Sequence, residues 1–203
     1  IGRLIQALVE YELYDNTLIL FCADHGEELC DHHFFRKSLP YEGSTRIPMI
    51  LSGNEQILPG IKQGSVCHSV VELRDVMPTL LDFAHAEIPD SVDGKSMLPL
   101  TADTSRKIRT TLHGEHSYGP LSNHWIASPY DKFIWFTETG TEQYFRTEED
   151  PHELHNAILN PAYQERIFTL RSQLIDELRN RPEGFSDGTH LIKGRPYPPY
   201  LRD

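Results

Sequence analysis

The chain has 203 residues, with 30 acidic against 19 basic side chains and a formal charge of -11. That length suits one domain, or one domain with an appended subdomain, and is enough to bury a sizeable core. The negative balance argues against a nucleic-acid partner, which needs clustered Lys and Arg, and no apolar run approaches the roughly 20 residues of a membrane span.

Ile1, Leu4, Ile5, Leu8 and Val9 recur at helical spacing and predict an amphipathic helix to about Tyr14, ended by Asp15-Asn16. Thr17 to Ala23 is an almost uninterrupted β-branched and aromatic run, the pattern of a strand buried on both faces in a parallel sheet. A second short strand is expected over Pro48 to Ser52. The helical pattern around Val76 to Ala84 should start near Arg74 or Asp75, which leaves Pro78 in a first turn where its missing N–H costs nothing. Asp93-Gly94-Lys95-Ser96 reads as a turn and a seam.

Beyond the seam the pattern becomes short and strand-like: Thr110 to His113, His124 to Ala127, Phe133 to Thr137 and Gln143 to Phe145, an antiparallel sheet by its turns. Trp125 and Trp135 fall in these strands and read as core. Asp150-Pro151-His152-Glu153 has the form of a capping box and predicts a short helix, with His152 and His155 solvated. Asn160-Pro161 repeats the signal before a helix whose inner face is Ile167, Leu170, Leu174 and Leu178, running to about Arg181. The tail from Gly194 to Asp203 should run extended or be mobile.

Three cysteines at irregular spacing outline no disulfide framework and favour reduced thiols in a cytoplasmic setting. The chain opens directly on a helix, so its true N-terminus is expected to be missing and a periplasmic location stays open. Oligomeric state is not encoded in any of these patterns.

The strand Leu20-Phe21-Cys22-Ala23 ends abruptly in Asp24-His25-Gly26, which sets a carboxylate and an imidazole at a sheet edge, where ligand sites of α/β folds lie. A capped turn would explain these three residues alone. The longer pattern is more specific: D-H-G-E-x-L-x-D-H over Asp24 to His32, then Lys37, then Tyr41-Glu42 and Arg46-Ile47-Pro48. It resembles the sulfatase (arylsulfatase-like) family of the alkaline phosphatase superfamily. Asp75-Val76-Met77-Pro78, Asp93-Gly94-Lys95-Ser96 and Glu149-Asp150-Pro151-His152-Glu153 extend the likeness over most of the chain.

The resemblance implies an α/β fold: residues 1–105 as part of an alkaline-phosphatase-like sheet with helices, carrying part of a metal site, and residues 106–203 as an α+β subdomain of about four antiparallel strands, a long helix and an extended tail. It implies that Asp24 and His25 ligate a divalent cation, Ca2+ first and Mg2+ or Mn2+ as alternatives. Lys37 would be the catalytic and substrate-binding lysine that meets the transferring sulfate group. His116, in His113-Gly114-Glu115-His116, is a second substrate-binding candidate beside the reading of a satisfied polar turn. Arg46 is expected to pair with Glu42, and His32 to be structural or to orient a ligand.

The family nucleophile motif C/S-x-P-x-R, whose first residue becomes formylglycine, is missing. Cys22, Cys30 and Cys67 are followed two positions later by Asp24, His32 and Ser69, and Ser38-Leu39-Pro40-Tyr41-Glu42 ends in glutamate where arginine is needed. The chain therefore reads as a C-terminal portion, inactive alone, that needs the N-terminal part of the same enzyme to act on a small-molecule or sugar sulfate ester. Alternatives are a phosphonate or phosphate monoester hydrolase of the same superfamily, and a non-catalytic interaction domain derived from a sulfatase.

Overall fold

The computed structural model describes residues 1–197. In chain order its elements are α1 (Gly2–Glu10), β1 (Ile19–Cys22), α2 (Glu42–Thr45), β2 (Met49–Ser52), α3 (Val76–Phe83), α4 (Leu98–Ala102), β3 (Leu112–His116), β4 (Asn123–Ala127), β5 (Lys132–Phe136), β6 (Glu142–Phe145) and α5 (Gln164–Glu177). They divide into two units, the first of Ile1–Asp24 and Ile47–Thr110, the second of His25–Arg46 and the residues from Thr111 onward.

In the first unit α1 stops a turn earlier than its apolar spacing suggests. Glu12 takes a left-handed conformation (φ 56), and the amides of Glu12 and Leu13 donate back to Val9 O and Leu8 O at 3.1 and 2.8 Å. This is a Schellman closure built without the glycine that would have announced it. β1 then pairs antiparallel with β2, Ile19 opposite Ser52 and Cys22 opposite Met49. The expectation of a strand buried on both faces of a parallel sheet is not met. Among the described residues β1 has β2 as its one strand neighbour, and Phe21 and Ile50 remain exposed. A continuous apolar run records what a strand could bury, not which neighbours it finds.

α3 begins where Pro78 allows, after a single 3-10 turn, Leu73–Asp75, fixed by a capping box between Glu72 and Asp75. Asp75 is fully buried. Its carboxylate accepts the amides of Glu72 and Lys95, each at 2.8 Å, and both terminal nitrogens of Arg109, Nη2 at 2.6 Å. Gly94 lets the Asp93-to-Ser96 turn close on this helix start, since a Cβ there would lie 1.8 Å from Arg74 O.

The second unit is a four-stranded antiparallel sheet in the order β3-β4-β5-β6, as its turns predicted. Alternation along β5 supplies both of its faces. Phe133 and Trp135 join Ile126 and Tyr144 under Ile167, Leu170 and Leu174 of α5 and under Leu178 just past its end, while Ile134 and Phe136 join Phe145 under Leu39 and Tyr41. Trp125 is half-buried against the second cluster. Asn160 accepts the Ala162 amide at 3.0 Å and opens the turn into α5, which ends at Glu177 with Leu178 still buried.

Three expectations change here. β3 runs through His116, so His113-Gly114-Glu115-His116 is strand and not a strand-to-loop junction. Asp150-Pro151-His152-Glu153 forms a turn and no helix, because Glu153 sits buried at φ 52 with its side chain turned toward β5. Tyr197 is packed, its ring 5.3 Å from His124 and 5.2 Å from Phe185. The rest of the expected extended tail, residues 198–203, lies outside the described residues.

Cys22, Cys30 and Cys67 are unpaired. No helix among the described residues is long and apolar enough to cross a membrane.

Candidate functional site

Asp24 and His25 follow β1 directly, Asp24 exposed in the first unit and His25 half-buried at the start of the second. His25 Nδ1 lies 2.6 Å from Gly26 O. A carbonyl can only accept, so Nδ1 carries a proton and Nε2 is the ring atom that a metal would take. An imidazole nitrogen and, next in sequence, an exposed carboxylate are donor atoms of the kind a divalent cation takes.

Glycine is required next. The Gly26 amide donates to Ser44 O at 2.8 Å, and a Cβ at Gly26 would come within 2.1 Å of Gly43 O. The loop beyond folds back on itself, with the Glu28 amide on Arg36 O and the Cys30 amide on Phe34 O, both at 2.9 Å. Leu29, Cys30, His32, His33 and Arg36 all take left-handed conformations, φ 48 to 82. None is glycine, and each such residue costs on the order of 1–3 kcal/mol unless its surroundings hold it. Lys37 follows, exposed, one residue past the bond that ties Arg36 to Glu28. Its aromatic neighbours Phe34 and Phe35 are exposed as well.

A residue that sequence reasoning passed over holds this loop to the sheet. Lys132, buried at the head of β5, donates from Nζ to Pro40 O at 2.8 Å and to Thr45 Oγ1 at 3.2 Å. It pairs with Glu42 Oε1 at 2.8 Å and Glu153 Oε1 at 2.9 Å. Glu153 Oε2 accepts the Glu42 amide at 2.6 Å. The available signal was a lysine opening an otherwise apolar strand, Lys132 to Phe136.

His32 stacks on Tyr41 at 4.0 Å, and its Nε2 lies 3.0 Å from His152 O, so its contacts are structural. Arg46 pairs with Glu42 at 3.6 Å as expected, but at 74% exposure that pair is worth little. Glu28 is buried. Burial pushes its carboxyl up, the Ser44 hydroxyl works against it, and the nearby Glu153 and Asp31 push upward again. Burial also raises Glu153, with Lys132 opposing.

His116, half-buried at the end of β3, stacks on Tyr118 at 5.8 Å. The same strand brings together a trio that was not anticipated. His113 and Glu115 share one face, and His124 sits opposite Glu115. His124 Nδ1 lies 3.1 Å from His113 Nε2 and 3.4 Å from Glu115 Oε2, a spacing that could hold a metal ion. Glu115, however, already has its countercharge: Arg181 Nη2 at 3.0 Å, with the Tyr197 hydroxyl donating at 2.8 Å. These hold its carboxyl below the usual range although burial works against them. His124, enclosed by Trp135, Phe185 and Tyr197, is pushed by burial down to about 3 and stays neutral. Within the trio Glu115 already has its partners, while His124 Nε2 is buried without one.

Comparison with known proteins gives the family. A family model described as N-sulphoglucosamine sulphohydrolase, C-terminal, matches residues 30–180. An arylsulfatase of Clostridium perfringens is 51% identical over 97% of the chain, which spans 40% of that relative's length. A solved structure of BT4656 in complex with its substrate D-glucosamine-2-N,6-O-disulfate superposes with a TM-score of 0.80 at 27% identity, over 89% of this chain and 38% of that one. The phosphonate monoester hydrolase SpPMH of Silicibacter pomeroyi gives 0.74 at 28% identity, over 87% and 37%.

Proposed function

The chain belongs to the sulfatase C-terminal family whose model it matches, within the alkaline phosphatase superfamily, and from that premise we propose that it is the C-terminal part of an enzyme hydrolysing sulfate monoesters. The observation that carries this reading is the loop after β1, where His25 turns its protonated nitrogen to the backbone and the exposed Lys37 follows a strained, tied-down segment.

In this reading Asp24 and His25 hold one divalent cation, Ca2+ before Mg2+ or Mn2+. That cation, when bound, supplies Lewis-acid polarisation of a sulfate oxygen. His25 contributes Nε2, its ring held by the bond from Nδ1 to Gly26 O. Lys37 contributes a point charge that stabilises the oxygens of the transferring group. His116 contacts the alcohol or sugar portion. The formylglycine nucleophile and the remaining ligands belong to the N-terminal part of the same enzyme, so the 203 residues alone are inactive. The sulfated sugar bound by BT4656 supports a sugar sulfate as the substrate class.

The test is steady-state hydrolysis of an aryl sulfate by the intact enzyme. Lys37→Ala and His25→Ala should each lower kcat/KM by about 100-fold or more, the scale of losing one charge-stabilising contact. Parent-like activity in both variants would remove the basis for this site. Turnover by the isolated chain would refute its dependence on a nucleophile from elsewhere.

The likeness to SpPMH favours one second reading, hydrolysis of phosphonate or phosphate monoesters at the same loop. Parallel assays with aryl sulfate, phosphate and phenylphosphonate esters separate the two by the ratio of kcat/KM.

A further inference from the structure

We infer that Lys132 is a positioning residue for the loop bearing His25 and Lys37, an inference that rests on the sulfatase reading above. β5 is buried along its whole length, and Lys132 shares a face with Ile134 and Phe136, which pack under Leu39 and Tyr41. An apolar side chain would suit that position. A buried ammonium is costly unless every proton finds a partner, and replacing buried ion pairs by apolar groups is often neutral or stabilising.

What Lys132 does that an apolar residue cannot is bind the loop. Pro40, Glu42 and Thr45 are all loop residues, and Pro40 lies three positions beyond Lys37. The fourth partner, Glu153, comes from the turn after β6 and grips the Glu42 amide with its other oxygen. Lys132, Glu42 and Glu153 thus close a ring in which two charged side chains fasten the chain at residues 40–45. Ser44 within that stretch accepts the Gly26 amide next to His25. The ring therefore reaches both ends of the left-handed segment at 29–36. This ties together two motifs that sequence reading kept apart, Tyr41-Glu42 and Asp150-Pro151-His152-Glu153, through a lysine that it passed over.

The test uses the intact enzyme and compares Lys132→Met, the double variant K132M/E153M, and Glu153→Gln by Tm, kcat and the cation concentration giving half-maximal rate. Lys132→Met leaves Glu153 buried without its partner and should lower both Tm and kcat. The double variant removes both charges at similar volume and should regain most of the Tm, while kcat stays at least 10-fold down and more cation is needed. Glu153→Gln keeps an acceptor for the Glu42 amide and should keep at least half of the parent kcat.

A double variant whose kcat returns together with its Tm would overturn the inference, since a merely structural role predicts that result. If Lys132→Met does not fold, the double variant carries the comparison. His25→Ala is the control for the underlying reading: parent-like turnover there sinks the site itself, whereas an inactive His25→Ala beside a fully active double variant sinks only the role of Lys132.

Discussion

The two units both bury a cation among carboxylates, but in different company. In the first, Asp75 and Arg109 sit where little apolar material is buried: Leu58, Met97 and Leu100, with α1 contributing no buried residue and β1 and β2 half open. In the second, Lys132 lies at the edge of a core that continues through both faces of a four-stranded sheet. The polar lock of the first unit therefore specifies its conformation, because it gathers the start of α3, the Gly94 turn and Arg109 at one carboxylate. In the second unit hydrophobic burial already specifies the fold, and the charged cluster is left to shape a loop.

The largest effect that could break this contrast is Arg109→Met, which strands Asp75 as a buried unpaired charge at a cost of about 3–5 kcal/mol. Hydrogen exchange should show the loss in α3 and not in α5, and equal loosening of α5 would refute the separation. The effect has a defined pH dependence. Burial alone would raise the Asp75 carboxyl, but Arg109 and the amides of Lys95 and Glu72 outweigh it and hold it below its ordinary value. Its stabilisation is thus complete above the unfolded aspartate pKa of about 3.9 and is lost as pH falls through the lower folded value. The gap between parent and Arg109→Met should close there.

Next comes Leu170→Ala, at the centre of the α5 contact and fully buried, with an expected loss of about 2–5 kcal/mol in urea unfolding. Glu28→Gln should do the reverse on a smaller scale. A carboxyl raised by burial gives stability that is complete below its unfolded pKa and is lost as pH rises through the folded one. The variant should therefore gain Tm over the parent at pH 8 and lose that advantage toward pH 4. Leu4→Ala on the exposed face of α1 should stay within about 0.5 kcal/mol. A cost rivalling Leu170→Ala would mean that the first unit has an apolar core after all.

Periodicity and turn chemistry made the second unit legible. The four strands, the Asn160-Pro161 entry and the inner face of α5 follow from alternation, a capping side chain and helical spacing. The failures share a cause, which is that a side chain or backbone took a long-range partner that local pattern cannot register. Glu153 left its capping box for Lys132, Glu12 closed α1 without glycine, and β1 found an antiparallel neighbour. At the candidate site, Asp24, His25 and Lys37 stood out because their spacing forms a motif. Lys132 did not, since its partners lie 87 to 92 positions away in Pro40 and Thr45 and across a turn in Glu153.

The run of left-handed residues at 29–36 has a consequence for the chain as a polymer. A segment that no residue in it prefers behaves as a loaded spring, storing conformational energy that its two anchorages keep from release. A synthetic peptide covering residues 25–46 should accordingly relax toward extended forms in solution, and transplanting those residues onto another scaffold should not reproduce their shape unless the lysine and glutamate that latch them travel too.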